Sequence, residues 1–525
     1  MNRDEMLQAL TDKSTRWDIL IIGGGATGLG CAVDAATRGY RTALVEQSDF
    51  AKGTSSRSTK LIHGGVRYLQ QGNLKLVRES LRERGLLMRN APHLVNRLGF
   101  IVPNYKWWEG IFYGVGLRIY DRLAGNLSLG RSEHLSCAEL LQHAPTLEPH
   151  GLRGGVRYYD GQFDDARLAI SLAHTAAGAG AVVSNYMQVT SLLKRNEQIC
   201  GAMVHDLETN RQHELAARAV INATGVFTDS IRRLDAPGET KLIVPSQGAH
   251  IVLEKSFLPG DSAIMVPKTD DGRVLFAIPW HDRVVIGTTD TPKSQPELEP
   301  HPLREEIDFL LAHAARYLTK DPQPENVLCT FAGLRPLVKS GQTKNTALVP
   351  RDHTVLVSKS GLVTVTGGKW TTYRRMAEDT VDQAALMARL AWRASTTSNL
   401  RLHGWMETGE EPSTGKEWPP RSYGSDASAL RQIVKEDPAL NGMLHPRLPY
   451  RGAEVVWAVR HEMARTVEDV LARRTRALFL DARASMEAAP KVAGLMAKEL
   501  GREQQWQAQQ VAAYREVAGA YVPEA

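Results

Sequence analysis

Three glycines and an acid supply the first chemical signal. Gly23, Gly25 and Gly28 stand in G-x-G-x-x-G spacing, and Glu46 follows 18 residues after the last of them. The pattern suits a dinucleotide: the first glycine permits a tight turn, the second lets the backbone approach a pyrophosphate, and the third lets a helix pack closely on a strand. The helix N-terminus offers N–H groups and a positive dipole end to the phosphates. Glu46 can accept from ribose hydroxyls and would repel the 2′-phosphate of NADP, which leaves FAD or NAD. Two later segments favour FAD, a long cofactor that needs several chain segments around it. AVINATGVFTD ends an apolar strand in Ala223, Thr224 and Gly225, and VTVTGGKWTTYR brings another strand, the pair Gly367 and Gly368, and a helix start.

These residues need elements to position them. WDILIIGGGATGLGCAVDAATRGYRTALVEQ reads as strand, glycine turn, helix and strand within one βαβ unit, with Ile19 to Ile22 as a strand buried on both faces. Helices are predicted from about Thr27 to Arg38, Leu74 to Asn90, Ala166 to Ala179, Leu303 to Tyr317 and onward from Thr371. Short strands punctuated by Gly and Pro fill much of the interval from about 150 to 290, a mixed α+β region. Composition shifts near residue 395 towards Gly, Pro, Ser and Glu, and beyond it Val455, Val456, Val459, Met463, Val467, Val470 and Leu471 recur at helical spacing.

The expected fold class is therefore α/β and α+β. A Rossmann-like FAD-binding domain is interleaved with a mixed-sheet substrate domain, and an all-helical domain follows. The FAD-binding segments fall at about 15–105, 215–235 and 330–395, the substrate segments at about 106–214 and 236–329, the linker at about 396–422 and the helical domain at about 423–525. A length of 525 residues agrees with about three domains. Hydrophobic residues at 42% and charged residues at 23% exclude a disordered or collagenous chain, and a net charge of +6 tilts the surface towards anions. Cys31, Cys137, Cys200 and Cys329 form no CxxC pair and no dense disulfide pattern, so a reducing cytoplasm is expected. The polar N-terminus resembles neither a signal nor a transit peptide, and no run reaches the roughly 18 apolar residues that span a bilayer.

Six motifs, in order, carry a family resemblance. TSSRSTKLIHGGVRYL (Thr54 to Leu69), GQFDDARL (Gly161 to Leu168), NATG (Asn222 to Gly225), VIGTTD (Val285 to Asp290), FAGLRPL (Phe331 to Leu337) and GGKWTTYR (Gly367 to Arg374) resemble FAD-dependent glycerol-3-phosphate dehydrogenases of the D-amino-acid-oxidase-like superfamily. The resemblance implies oxidation of sn-glycerol 3-phosphate to dihydroxyacetone phosphate, FAD as cofactor, electron transfer to quinone, and a peripheral seat on the cytoplasmic face of the cell membrane.

It also implies a site. Arg67, Arg335, Arg351 and Lys369 match substrate-site cations, as a phosphate monoester requires, and Tyr68 would cap the substrate. His63 and His250 are both candidates for the base that takes the hydroxyl proton, and Arg335 could instead hold the developing alkoxide. Thr54, Ser55, Ser56 and Lys60 resemble a loop over the cofactor. Ala223, Gly225, Gly368, Lys369, Thr371 and Thr372 complete the expected cofactor contacts, although Thr371 could serve only as a helix cap.

Other signals carry less. His461-Glu462-Met463-Ala464-Arg465 starts like a zinc helix but has Arg where the second histidine belongs, and no metal site is expected. GGKWT lacks P-loop spacing, and Asp164-Asp165 reads as structural. YKWWEGIFYGVGLRIYDRLAG offers bulky apolar residues beside Lys106, Arg118 and Arg122, a candidate face for an anionic membrane. The Arg-rich C-terminal region is a second candidate. The expected partners are sn-glycerol 3-phosphate, quinone and a membrane surface, with a homodimer open and nucleic acid not expected. An oxidase that passes electrons to oxygen and a non-catalytic or RNA-associated FAD protein are the competing readings.

Overall fold

A computed structural model of the chain describes residues 1–70, 72–270, 272–339, 353–407 and 418–523; the side chains of Arg67 and Gln70 also lie outside the described set. The glycine turn sits in the first of two large sheets. Its order is His353–Val357, Leu362–Gly367, Arg211–Asn222, Trp17–Ile22, Thr42–Val45 and Val182–Ser184. The inner pairings are parallel, with Ile22 opposite both Val45 and Asn222. Strands buried on both faces explain the continuous apolar runs at Ile19 to Ile22 and Ala43 to Val45. The helices Ala26–Thr37, Asp165–Gly178 and Tyr373–Met387 cover this sheet and share its core.

The second sheet is largely antiparallel. From Thr291–Pro292 it runs through Ile243–Glu254, Arg283–Gly287, Leu275–Trp280, Ser262–Val266, Val95–Pro103 and Gly155–Phe163 to Leu61–Ile62. The Val327–Val338 strand also pairs along Ile243–Glu254, in a register that sets Ser246 opposite Arg335 and His250 opposite Phe331. Side chains two apart share a face, so His250, Phe331 and Arg335 stand together, with Gly248 and Gly333 between them.

The sheets divide the chain differently from the segments read off the sequence. Val182–Ser184 and the Met187–Arg195/Gln198–Asp206 hairpin extend the first sheet, although they lie inside the expected substrate segment. Leu61–Ile62 and Val95–Pro103 belong to the second sheet although they lie inside an expected FAD-binding segment, and Val327–Val338 crosses the expected boundary near residue 330. Short apolar runs look alike whichever sheet they join, and long-range pairing decides the matter. The helix Leu74–Asn90 has its expected limits, capped by Asn73 accepting from Leu76 N–H at 3.1 Å.

The stretch expected to be a linker contains ordered, tied-down chain. Leu402 is buried and its N–H donates to Asn90 O, and Ser171 Oγ donates to His403 O at 2.8 Å. The helices Ala427–Glu436, Gly452–His461, Ala482–Leu500 and Gln504–Gly519 form the C-terminal region. They do not pack only on themselves: Val470, Leu471 and Phe479 share one core with Val252, Trp280, Val285 and Phe331 of the second sheet. Arg473, Arg474 and Arg476, part of the arginine-rich stretch read as a candidate membrane face, are buried against Asp49, Asp469 and Asp165.

Candidate functional site

One cavity of about 890 Å³ runs between the two sheets, a size suited to a large organic ligand. The glycine turn forms one end. Gly23 has φ 110°, and a methyl group on Gly28 would come within 1.8 Å of Gly23 O. Gly28 therefore lies beneath the turn and lets the helix approach, while Gly23 and Gly25 line the cavity. The Ala26–Thr37 helix points its N-terminus into this space, and Ala26 N–H donates to Ser55 Oγ at 2.9 Å.

Glu46 follows the Thr42–Val45 strand and lines the same end. Its carboxylate accepts from Gly24 N–H at 2.6 Å and Ser48 N–H at 2.8 Å. Burial pushes the carboxyl up from its ordinary value, against those two donors. Ala223 and Gly225 close this end from the neighbouring strand, and Thr54 and Ser55 lie along the middle, Thr54 Oγ1 donating to Leu334 O at 2.6 Å. Trp370 Nε1–H donates to Ser55 O at 3.0 Å and so ties the GGKWTT turn to that loop.

The same cavity is also lined by His63, Tyr68, His250, Arg335, Gly368, Lys369 and Thr371. Thr371 Oγ1 joins the backbone of His63, accepting from its N–H at 3.3 Å and lying 3.4 Å from its carbonyl oxygen. Lys369 Nζ lies over the Tyr68 ring, 3.9 Å from its centre. Arg335 donates from both Nη atoms to Thr289 O at 3.2 Å and from Nη2 to Thr288 Oγ1 at 3.2 Å, with Asp290 Oδ1 3.5 Å from Nη1. This fork is held by backbone and hydroxyl acceptors as well as by a carboxylate.

His250 is buried and lies flat on Phe331, ring centres 4.6 Å apart and planes 7° apart. Its Nε2 is 3.0 Å from Thr59 Oγ1. Burial, then Lys60, then Arg335 push the imidazole well below its ordinary value, so it is neutral at pH 7. Gly287 makes the room: a Cβ there would strike His250 Cδ2 at 2.1 Å. A Cβ on Gly248 would likewise strike Arg335 Nη2 at 2.4 Å.

The remaining expected residues lie elsewhere. Ser56 and Thr372 are buried beside the cavity and do not line it; Ser56 O instead accepts from Lys60 and Arg476, and Thr372 Oγ1 donates to Lys369 O. Lys60 turns away, with φ 63°, into an ion pair with Asp165 at 2.7 Å. Arg67 is in the Val66–Gln70 helix but its side chain is outside the described residues, as is all of Arg351. Asp164 caps the Asp165–Gly178 helix, accepting from Arg167 N–H at 3.1 Å.

Sequence reasoning missed other lining residues. Thr59, Thr288, Thr289 and Asp290 line the cavity although TSSRSTK and VIGTTD contain them, so the signal was present and not assigned residue by residue. Asp160 and Arg273 had no motif to mark them. Asp160 is buried, pairs with Arg84 at 2.7 Å and accepts from Tyr120 Oη at 2.7 Å; burial pushes its carboxyl up against Arg84.

The residues present fit the expected FAD. A glycine turn and helix N-terminus suit its pyrophosphate, Glu46 its ribose, and the Thr54–Ser55 and Gly368–Thr371 segments its ring end. Residues 18–374 match the family described as FAD dependent oxidoreductase, and residues 366–510 the family described as the C-terminal domain of alpha-glycerophosphate oxidase. The mitochondrial glycerol-3-phosphate dehydrogenase of Rattus norvegicus is 42% identical over 539 residues, covering 95% of this chain and 72% of its own. A probable mitochondrial glycerol-3-phosphate dehydrogenase of Caenorhabditis elegans is 41% identical over 527 residues, with the same coverage of 95% and 72%. Among solved structures, the glycerol-3-phosphate dehydrogenase of Bacillus halodurans complexed with FAD superposes with TM-score 0.81 at 29% identity, covering 99% of this chain and 97% of that one. The FAD-bound L-alpha-glycerophosphate oxidase of Mycoplasma pneumoniae, at 17% identity and TM-score 0.56 over 73% of this chain and 97% of that one, shares the fold.

Proposed function

The chain belongs to the FAD-dependent glycerol-3-phosphate dehydrogenase family, and from that premise we propose that it oxidises sn-glycerol 3-phosphate to dihydroxyacetone phosphate and passes the electrons to membrane quinone. The observation that carries the reading is that one cofactor-sized cavity is lined by the glycine turn and Glu46 and also by His63, Tyr68, His250, Arg335 and Lys369.

The reaction breaks the C2–H and O–H bonds of a secondary alcohol and forms a carbonyl. FAD, when bound, supplies the acceptor for the hydride and its two electrons. The protein's own groups must hold the phosphate, orient C2 and take the hydroxyl proton. Lys369, packed on Tyr68, suits the phosphate, and Arg67 and Arg351 are further candidates by motif. His250 is our preferred proton acceptor, because a neutral buried imidazole beside Arg335 has its lone pair available at pH 7 while the guanidinium offsets charge growing on the substrate oxygen. His63 stays the second candidate.

A peripheral seat on the cytoplasmic face of the membrane is part of the proposal. The Glu109–Ala124 helix supports it: Trp107, Ile111, Phe112, Val115 and Ile119 are exposed, Trp107 to 77%, and Lys106, Arg118 and Arg122 are exposed beside them. Such a face suits insertion at the headgroup level of an anionic bilayer. Among the described residues no helix is long and apolar enough to cross a membrane.

The C-terminal match to an oxidase domain favours one alternative, electron transfer to oxygen. Turnover of sn-glycerol 3-phosphate with a soluble quinone analogue in air separates the two. Quinone reduction with little peroxide is expected; peroxide in equal amount to dihydroxyacetone phosphate would favour the oxidase.

A further inference from the structure

Lys60 belongs to the KLIHGG motif, yet its side chain is fully buried away from the cavity. Nζ donates to Asp165 Oδ2 at 2.7 Å and to Ser56 O at 2.8 Å. It stands 5.2 Å from the ring centres of Phe331 and Phe479 and 5.4 Å from that of Trp280. Asp165 also accepts from Ser58 N–H at 3.0 Å and from Ser58 Oγ at 2.7 Å. The residues on either side of Thr59 are thus clamped to one carboxylate. Thr59 itself lines the cavity and reaches His250 Nε2 at 3.0 Å.

We propose that the buried Lys60–Asp165 pair is a positioning device for His250, fixing the Thr59 hydroxyl against Nε2 and keeping a cation beside the Phe331 ring on which the imidazole lies, so that the ring is held ready to accept the substrate's proton. The inference rests on the reading of His250 as proton acceptor. Two geometric couplings support it. The Ser58–Lys60 segment cannot shift without breaking its bonds to Asp165, and Phe331 touches both the imidazole and the ammonium. The C-terminal region completes the device: Arg476 pairs with Asp165 Oδ1 at 3.1 Å and donates to Ser56 O at 2.8 Å, while Phe479 packs edge-on to Phe331 at 5.0 Å.

The charged groups around His250 act in a definite direction. Lys60 faces it from the segment before Leu61–Ile62 and Arg335 from the paired strand; both oppose an imidazolium. Asp165 offsets Lys60, and Arg476 and Asp164 lie beyond. Asp290 sits on the far side, near Arg335. Burial draws Lys60 itself down to about 7 against Asp165, with Arg476 adding to the fall. Lys60 is therefore charged across the acid range in which His250 would take up a proton.

The test uses holoenzyme with isotopically labelled histidine, in wild type, Lys60→Met and Thr59→Val, with His250→Gln to assign the resonance. Losing the cation should raise the proton affinity of His250. The resonance is expected to titrate on the order of one pH unit higher in Lys60→Met, and the acid limb of kcat/KM should move with it. Thr59→Val, which removes the hydroxyl beside Nε2, should also move both titrations, and decides the matter if Lys60→Met does not fold. A merely structural Lys60 would lower folded yield or kcat and leave both titrations in place, which would overturn the proposal. If His250→Gln reduced flavin at the wild-type rate, the proton-acceptor reading would fail instead, and the resonance shift would still report on the pair.

Discussion

Lys369 Nζ lies 3.9 Å from the centre of the Tyr68 ring, joining the HGGVRY and GGKW motifs across the cavity. The ring confines a flexible ammonium, and such a cation–π contact contributes about 0.5–2 kcal/mol. Replacing Lys369 with Met should raise KM for sn-glycerol 3-phosphate by about tenfold or more, since a charge-assisted hydrogen bond contributes about 1.5–3 kcal/mol, with a smaller change in kcat. Steady-state kinetics with a quinone analogue measure this. An unchanged KM would remove Lys369 from the phosphate site.

The C-terminal region is pinned by buried charge, and this gives a pH prediction. Arg167 Nη1 donates to Glu462 Oε2 at 2.7 Å. Burial opposes ionisation of Glu462, but Arg167 and then Arg474 outweigh it and hold the carboxyl at about 2, below its ordinary 4.5. A depressed carboxyl contributes stability that is complete above its unfolded value and lost as pH falls through the folded one. Glu462→Gln, which leaves Arg167 buried and unpaired, should cost about 3 kcal/mol at pH 7. Thermal unfolding should show the gap between variant and wild type closing from pH 4.5 towards pH 2. A gap independent of pH would contradict the ion-pair account.

The exposed face of the Glu109–Ala124 helix should govern membrane binding. Ile111 and Phe112 are 67% and 52% exposed and support no core, so Ile111→Ser with Phe112→Ser should leave turnover with a soluble quinone analogue intact. Each bulky side chain buried in lipid contributes about 1.5–3 kcal/mol, and binding to vesicles containing anionic phosphatidylglycerol should fall by roughly tenfold or more. Co-sedimentation equal to wild type would assign membrane contact to another surface.

What the sequence revealed followed the reach of each interaction. Gly23, Gly25, Gly28 and Glu46 were legible because one βαβ unit contains them, and neighbouring strands fix their geometry without reference to the rest of the chain. The niche around His250 was not. It depends on a pairing that sets His250 opposite Phe331, and on Gly287 and Gly248 leaving space for imidazole and guanidinium. Motif proximity misled for Lys60: His63, three residues on, lines the cavity, but a left-handed backbone at Lys60 sends its side chain the other way. Helical periodicity marked the C-terminal helices but not their inward-facing arginines, because charge pattern alone reads Arg473, Arg474 and Arg476 as surface.

The central claim is that this cavity holds FAD with a polyol phosphate at its cationic end. Anaerobic mixing of the purified yellow protein with sn-glycerol 3-phosphate in a stopped-flow spectrophotometer tests it most directly. The account predicts full bleaching of the flavin absorbance in one turnover, with one dihydroxyacetone phosphate formed per FAD, and much slower bleaching by glycerol, which lacks the phosphate. A flavin that stays yellow with sn-glycerol 3-phosphate, or that bleaches equally fast with glycerol, would contradict it.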